Sequence, residues 1–387
     1  MFGKKNKEMS LEKVSELLSG VATPLSLYLV PTNLDSERKK FFGSSSYNPQ
    51  FKYRRPKAVS KNNGIFDKLS GLESVKGVDP EISKFIVEVV KHKKQASGLL
   101  DAIGDDSRFV EISKQRFGIP TYLLFKKACK ILRRRYGDLN LAPRDAKLRE
   151  KKLKYDDLVP VFEEVFKALG LEEWTLDKSK AIIRSGFRTA VKTKRIMVDP
   201  NISVSAERLR KTIIHEVATH ALRGNNGFGT GYEVFGKPNL AECLDDEEGL
   251  ALFNEEKFGV LRKTDIKKRA AYVYALHLGK SHSFRDVFDA LRSSYARMSA
   301  FDVAYRIKRG ISDTSKPGCY FKDVVYLRGF LKVRERLAGD EVSYANMYAG
   351  KIPLSHLYLV EEGVIPKPRV VPQKDIFEKV FKKAGLI

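Results

Sequence analysis

Residues 214–220 read Ile214-His215-Glu216-Val217-Ala218-Thr219-His220, and the spacing of their two imidazoles governs how the rest of the chain is read. On an α-helix, side chains at i and i+4 sit about 40° apart, whereas those at i and i+5 are about 140° apart, too wide to share one ion. A π-helical turn stacks i on i+5, and such turns concentrate at functional sites. The sequence therefore predicts a locally widened helix that brings His215 and His220 onto one metal. Neutral imidazoles suit zinc, which in a catalytic site keeps one position open for water. Glu216, beside the first histidine, is placed to take that water's proton and pass it on. The plainer reading is an ordinary helix carrying two histidines and a surface glutamate. Against it, only six histidines occur in the whole chain, and two of them fall here.

Upstream, Trp174 to Leu176, Ala181 to Arg184, Arg188 to Thr193 and Arg195 to Val198 are rich in β-branched and aromatic residues. They read as a small antiparallel sheet, with Gly186 and Lys192-Thr193-Lys194 as turns. Asp199-Pro200-Asn201 ends it, and Ser203 or Ser205 caps a helix running to about Leu222. Gly224 is expected to stop that helix, leaving the glycine-rich stretch to Gly231 as a mobile rim. That stretch lacks the GK[ST] ending of a phosphate loop and follows a helix rather than a strand. Elsewhere, three- and four-residue apolar spacing predicts helices over Glu81 to Lys93, Thr121 to Tyr136, Leu158 to Leu169, Leu240 to Glu256, Asp265 to Leu278, Ser283 to Ser294, Ala300 to Lys308, Phe321 to Leu337 and Gln373 to Lys383. The first 60 residues read as a short helix (Ser10 to Leu18) and an irregular arm. The expected organisation is an arm over 1–60, a helical part over 61–170 and a catalytic part over 171–387.

A third metal ligand should come from another helix, and Leu240 to Ala251 is the best candidate. Asp245-Asp246-Glu247-Glu248 would repel one another unless a cation or basic partners relieve them. An exposed acidic helix end is the alternative.

Of the 387 residues, 42% are hydrophobic, enough for a sizeable core. The 72 Lys and Arg against 48 Asp and Glu leave a formal charge of +24, which attracts nucleic acid, acidic lipid headgroups or acidic peptide tails. The basic runs are scattered and lack interleaved base-stacking aromatics, which favours solvated helix faces over a nucleic-acid site. Cys129, Cys243 and Cys319 lie far apart without a CxxC, as suits free thiols in a reducing compartment. No run approaches the roughly 20 apolar residues of a membrane span. The protein is accordingly read as cytoplasmic. His277 and His282 read as satisfied or exposed histidines, Cys243 as neither nucleophile nor ligand, and Trp174 as core.

The HExxxH helix, one residue longer than the zincin HExxH, and Glu247-Glu248-Gly249-Leu250-Ala251 together resemble the tyrosine carboxypeptidase family of metallopeptidases, once known by its QEGLA motif. Further matches are Tyr47-Asn48-Pro49-Gln50-Phe51, Thr219 to Arg223, Arg306 to Gly310, Lys322 to Gly329 and Gly350-Lys351-Ile352, in order over most of the chain. The resemblance implies an α+β, helix-dominated zincin-like fold, with the small sheet preceding the HExxxH helix. It implies zinc held by His215, His220 and Glu248, with Glu247 in the Gln or Glu position before it and Glu216 as general base. Removal of a C-terminal aromatic residue, Tyr or Phe, from a peptide or protein tail, possibly acidic, is the activity it implies. A carboxylate clamp is then needed, for which Arg306, Arg309 or Arg223 could serve; Lys322 and Tyr326 could bind that carboxylate or stabilise the oxyanion. Tyr320-Phe321-Lys322-Asp323 stands where the family has Phe-Thr-Lys-Asp, and the Tyr47 motif could simply anchor the arm. The rival functions are a zinc endopeptidase or aminopeptidase on the same core, and a basic nucleic-acid-binding protein with a non-catalytic metal.

Overall fold

The computed structural model describes residues 7–143, 145–180, 182, 186–238 and 240–387. The chain divides into two compact units, one of residues 1–137, 239–241 and 266–327, the other of residues 138–238, 242–265 and 328–387. The architecture is helix-dominated with small sheets, so α+β holds. No helix among the described residues is long and apolar enough to cross a membrane.

In the first unit, Asp79 caps and Pro80 opens the longest helix, Pro80–Asp101, which buries Phe85, Ile86, Val89 and Leu99. Lys7–Ser10 pairs in parallel with Leu72–Lys76. The arm expected over 1–60 is less irregular than its sequence suggests, because Leu34–Gly43 is a helix. Its apolar residues cluster at its ends instead of recurring each turn, so periodicity does not reveal it. Phe41, at its C-terminal end, lies edge-on to Phe284, Phe288 and Phe301, with ring centroids 4.8–5.3 Å away. The Tyr47 motif is an anchor here: the Tyr47 hydroxyl donates to Glu37 at 2.5 Å, and Asn48 Oδ1 accepts the Arg285 N–H at 2.8 Å.

In the second unit, Thr175–Lys178, Phe187–Ala190 and Arg195–Val198 form a three-stranded sheet. Phe187–Ala190 and Arg195–Val198 make a hairpin, turned by Val191–Thr193 and a left-handed Lys194 (φ 52°). Thr175–Lys178, however, joins the far side of Arg195–Val198 in parallel, so the sheet is mixed rather than antiparallel. The physical reason is order: the hairpin claims one edge of Arg195–Val198, and the earlier strand can reach only the other, running the same way. Of the strand expected over Ala181 to Arg184, residues 181, 183 and 184 lie outside the described residues. Phe187–Ala190 is left as an edge strand among the described residues.

Candidate metal centre

Ser205 caps the helix after the sheet, its Oγ accepting the Arg208 N–H at 3.2 Å. The helix is α over Ala206–Thr212, π over Ile213–Ala221 and α again over Leu222–Phe228. The widened turn inferred from the i+5 spacing is therefore present, and Thr219 Oγ1 donates to the Ile214 carbonyl five residues back at 3.1 Å. The His215 and His220 rings lie side by side, edge to face, with centroids 4.8 Å apart and planes at 83°.

Across from them lies Ala241–Lys257. Its Glu248 Oε2 is 3.5 Å from His215 Nε2 and 4.0 Å from His220 Nε2. One ligand atom from each of His215, His220 and Glu248 lies within 4.8 Å of the others. Each imidazole is held from behind: His215 Nδ1 meets Glu255 at 2.8 Å, and His220 Nδ1 meets Glu247 at 2.7 Å. A carboxylate at Nδ1 fixes the tautomer whose Nε2 lone pair is free for a metal. Burial opposes a charge on His215, but hydrogen bonds to Glu248 and Glu255 outweigh it and hold the imidazole pKa up at about 10.

The residues present fit a divalent cation. His215, His220 and Glu248 bring nitrogen and oxygen donors to one point. Glu255 Oε2 behind them is buried without a hydrogen-bond partner among the described residues. Imidazole and carboxylate donors converging in this way are the set that zinc takes.

The run Asp245-Asp246-Glu247-Glu248 is relieved residue by residue. Arg328 holds Asp245 bidentately at 2.6 and 2.8 Å, while Lys332 and the Leu354 N–H hold Asp246. Burial opposes charge on Glu247, yet Lys351, Arg223 and His220 keep its carboxyl well below the usual range. This leaves Glu248 facing the imidazoles. The helix is brought this close to Val324–Arg336 by paired glycines: a Cβ on Gly249 would lie 2.4 Å from the Gly329 backbone, and one on Gly329 would lie 1.9 Å from the Asp245 carbonyl oxygen.

Glu216 reaches toward the sheet. The Thr189 hydroxyl, on the edge strand, lies 2.6 Å from Glu216 Oε2 and 3.2 Å from its backbone carbonyl, and so fixes the side chain. Thr189 and Glu255 are not singled out by the sequence, and Lys351 is marked there only by the Gly350-Lys351-Ile352 match, without a role. Only Glu255 left a signal of its role, since it follows Glu248 by seven residues and so returns to the same helix face.

Two expectations need correction. Arg223, a clamp candidate, is fully buried, and its guanidinium binds Glu247 and the Met347 and Ile352 carbonyls, so it supports Glu247 from inside the unit. Gly224 does not end the helix, and residues 224–228 are helical rather than a mobile rim. Gly224 instead admits Val191, whose side chain would lie 2.3 Å from an added Cβ.

The remaining candidates belong to the first unit. Arg306 grips the fully buried Asp323 bidentately at 2.8 and 2.9 Å, and Arg309 approaches the same carboxylate at 3.5 Å. Arg306 thus has a structural ion pair in the place where a substrate carboxylate was expected. Tyr326 is buried with the Arg269 guanidinium 4.3 Å from its ring centroid, and Lys322 is half-buried. His277 stacks on Phe125 at 3.9 Å. The three cysteines are free thiols, and buried Cys243 donates to the Lys351 carbonyl. Trp174 is core, as read.

Residues 39–382 match the family model described as microtubule-associated tyrosine carboxypeptidase. Microtubule-associated tyrosine carboxypeptidase 1 of Mus musculus is 28% identical over 79% of this chain and 55% of its own length. The Rattus norvegicus and Homo sapiens proteins of the same name are 28% and 27% identical, each over 88% of this chain and 63% of their own. The chain thus spans a little over half of the curated relatives it matches. By the extent of the family match, this chain belongs to the microtubule-associated tyrosine carboxypeptidase family.

Proposed function

We propose that this protein is a zinc-dependent carboxypeptidase that removes a C-terminal aromatic residue, Tyr or Phe, from peptide or protein tails. The observation that carries the reading is the convergence of His215, His220 and Glu248 beside Glu216. The relatives' names, which specify tyrosine carboxypeptidase, agree with it.

His215, His220 and Glu248 would hold the ion. When bound, zinc supplies Lewis acidity, which makes water deprotonable near neutral pH and polarises a carbonyl. Glu216 takes the proton of the attacking water and returns it to the leaving amine. Thr189 keeps that carboxylate in one rotamer, while Glu247 and Glu255 hold the imidazoles. Phe187–Ala190, an edge strand, offers backbone groups to an extended peptide. A clamp on the terminal carboxylate is what the resemblance implies, with Arg306, Arg309, Lys322 and Tyr326 as its candidates. The substrate class is a C-terminal tail, acidic ones being favoured by the +24 charge, and the free thiols suit the cytoplasm.

The test is digestion of a peptide library by zinc-loaded protein, with each peptide offered as the free acid and as the C-terminal amide. Release of Tyr or Phe from the acids alone is expected. Equal cleavage of the amides would make the enzyme an endopeptidase or aminopeptidase. Glu216→Gln is expected to keep stoichiometric zinc and lose cleavage by at least about a hundredfold. Retained activity in that variant removes Glu216 from the chemistry.

A further inference from the structure

We propose that the exposed stripe along helix Tyr122–Leu132 is a docking surface for an anionic lipid bilayer. Between Glu111 and Asp138 the sequence contains no carboxylate side chain. Within that span the helix and the residues after it present Lys126, Lys127, Lys130, Arg133, Arg134 and Arg135, all exposed. None of these six pairs with a carboxylate among the described residues, whereas Arg262, Arg306, Arg328 and Arg334 all do. The helix is anchored by its other face, with Leu124, Ala128 and Ile131 buried.

The basic residues are one half of the observation. At the N-terminal end of the same stripe stand Tyr122, 64% exposed, and Leu123, 77% exposed, with Ile119 at 47% just before the helix. Helical spacing places Tyr122, Lys126 and Lys130 on one line and Leu123 and Lys127 on the next, so apolar tip and cations share a face. Lys126 Nζ lies 5.3 Å from the Tyr122 ring centroid. Three large apolar side chains within five residues, each bordered by water, are unusual on a soluble surface.

The exposure favours lipid over an acidic protein. Side chains this bare protrude into solvent. A folded partner would need a matching recess for Leu123, and a hydrated acidic tail offers it nothing apolar. The headgroup region of a bilayer deforms around such side chains, while anionic headgroups meet the lysines and arginines behind them.

Because the whole chain carries +24, some attraction to anionic vesicles is expected from any basic face. The decisive variant therefore keeps the charge: Ile119→Ser, Tyr122→Ser and Leu123→Ser together. Cosedimentation of the full chain with phosphatidylserine-containing vesicles is expected to weaken about tenfold or more in that variant. Lys126→Gln, Lys127→Gln and Lys130→Gln together should weaken it comparably, and pure phosphatidylcholine should bind poorly. In a Leu123→Trp protein, the fluorescence of the introduced indole is expected to shift to the blue on vesicle addition. Thermal melts check that the variants fold, which their exposure leads us to expect. Serine-variant binding equal to the parent, or emission from the Leu123→Trp protein that vesicles leave unshifted, overturns the proposal in favour of plain charge attraction. Capture of poly-glutamate through the same residues, with no vesicle binding, overturns it in favour of an acidic protein partner.

Discussion

At His215, one imidazole nitrogen faces Glu255 and the other faces Glu248, and the carboxylate behind the ring determines which nitrogen is left as a ligand. Glu255 is 1% exposed at its side chain, so its charge is poorly screened and its hold on Nδ1 is strong. Glu255→Gln keeps an acceptor but loses the charge. It is expected to weaken zinc binding about 10–100-fold in competition with a chelating dye, with the fold intact. An unchanged zinc affinity would show that the ring is oriented by its helix alone. Thr189 acts on Glu216 in the same way, through one hydrogen bond to a carboxylate. Such bonds are worth about 1.5–3 kcal/mol, so Thr189→Ala should lower kcat by roughly ten- to a hundredfold with KM and zinc content unchanged, and Thr189→Ser should restore it. A Thr189→Ala enzyme with the parental kcat would detach the edge strand from the mechanism.

The helices themselves are set by close backbone approach as much as by amphipathic pattern. Gly249 and Gly329 lie where Ala241–Lys257 and Val324–Arg336 nearly touch, and neither backbone can yield to a methyl group by a side-chain rotation. Gly249→Ala is expected to destabilise the protein by roughly 2–4 kcal/mol, read as a fall in the urea midpoint. It should also weaken zinc binding, because Glu248 precedes it; a parental midpoint would mean that the helices part freely there. This explains which elements are legible from sequence. Helices with an apolar face are readable, and so is the π turn, because two histidines five apart leave a geometric demand that only a wide turn meets. Leu34–Gly43 is not, for want of a repeating face; the strand at Thr175–Lys178 is read from Trp174 to Leu176, but not its parallel pairing, because strand order is decided by which edge remains available. Thr189 carries no local pattern of its own, and Lys351 only the Gly350-Lys351-Ile352 match; the role of each exists only once the chain has folded. Gly224 misleads because a glycine after an apolar run signals a helix end and close packing alike.

Over the whole molecule, 72 cationic side chains face 48 carboxylates, and the carboxylates are what keep the surplus at +24. Several of them are held in the charged form by cations. Burial raises Asp265, but Arg262 and Lys211 outweigh it and hold its carboxyl well below the usual range. In the other unit, hydrogen bonds from Gln50 and Ser315 lower Asp313 to about 2. A carboxyl depressed in the folded state contributes stability that is present above its unfolded pKa of about 3.9 and is lost as pH falls through the folded value. Asp245 and Asp246 run the other way: burial raises them, Arg328 and Lys332 only partly offset it, and acid therefore relieves them slightly. The paired set and the net charge act together below pH 4, because every proton taken up also adds to the repulsion among the cations. The melting temperature is thus expected to fall steeply between about pH 4 and pH 2, and added salt should restore part of the loss by screening. Asp265→Asn should show much of that loss already at pH 7, by about 3 kcal/mol, since it leaves Arg262 and Lys211 short of a buried partner. A variant as stable as the parent at pH 7 would mean that the pairing does no more than offset the desolvation of its own charges, and the acid sensitivity would then rest on net charge alone.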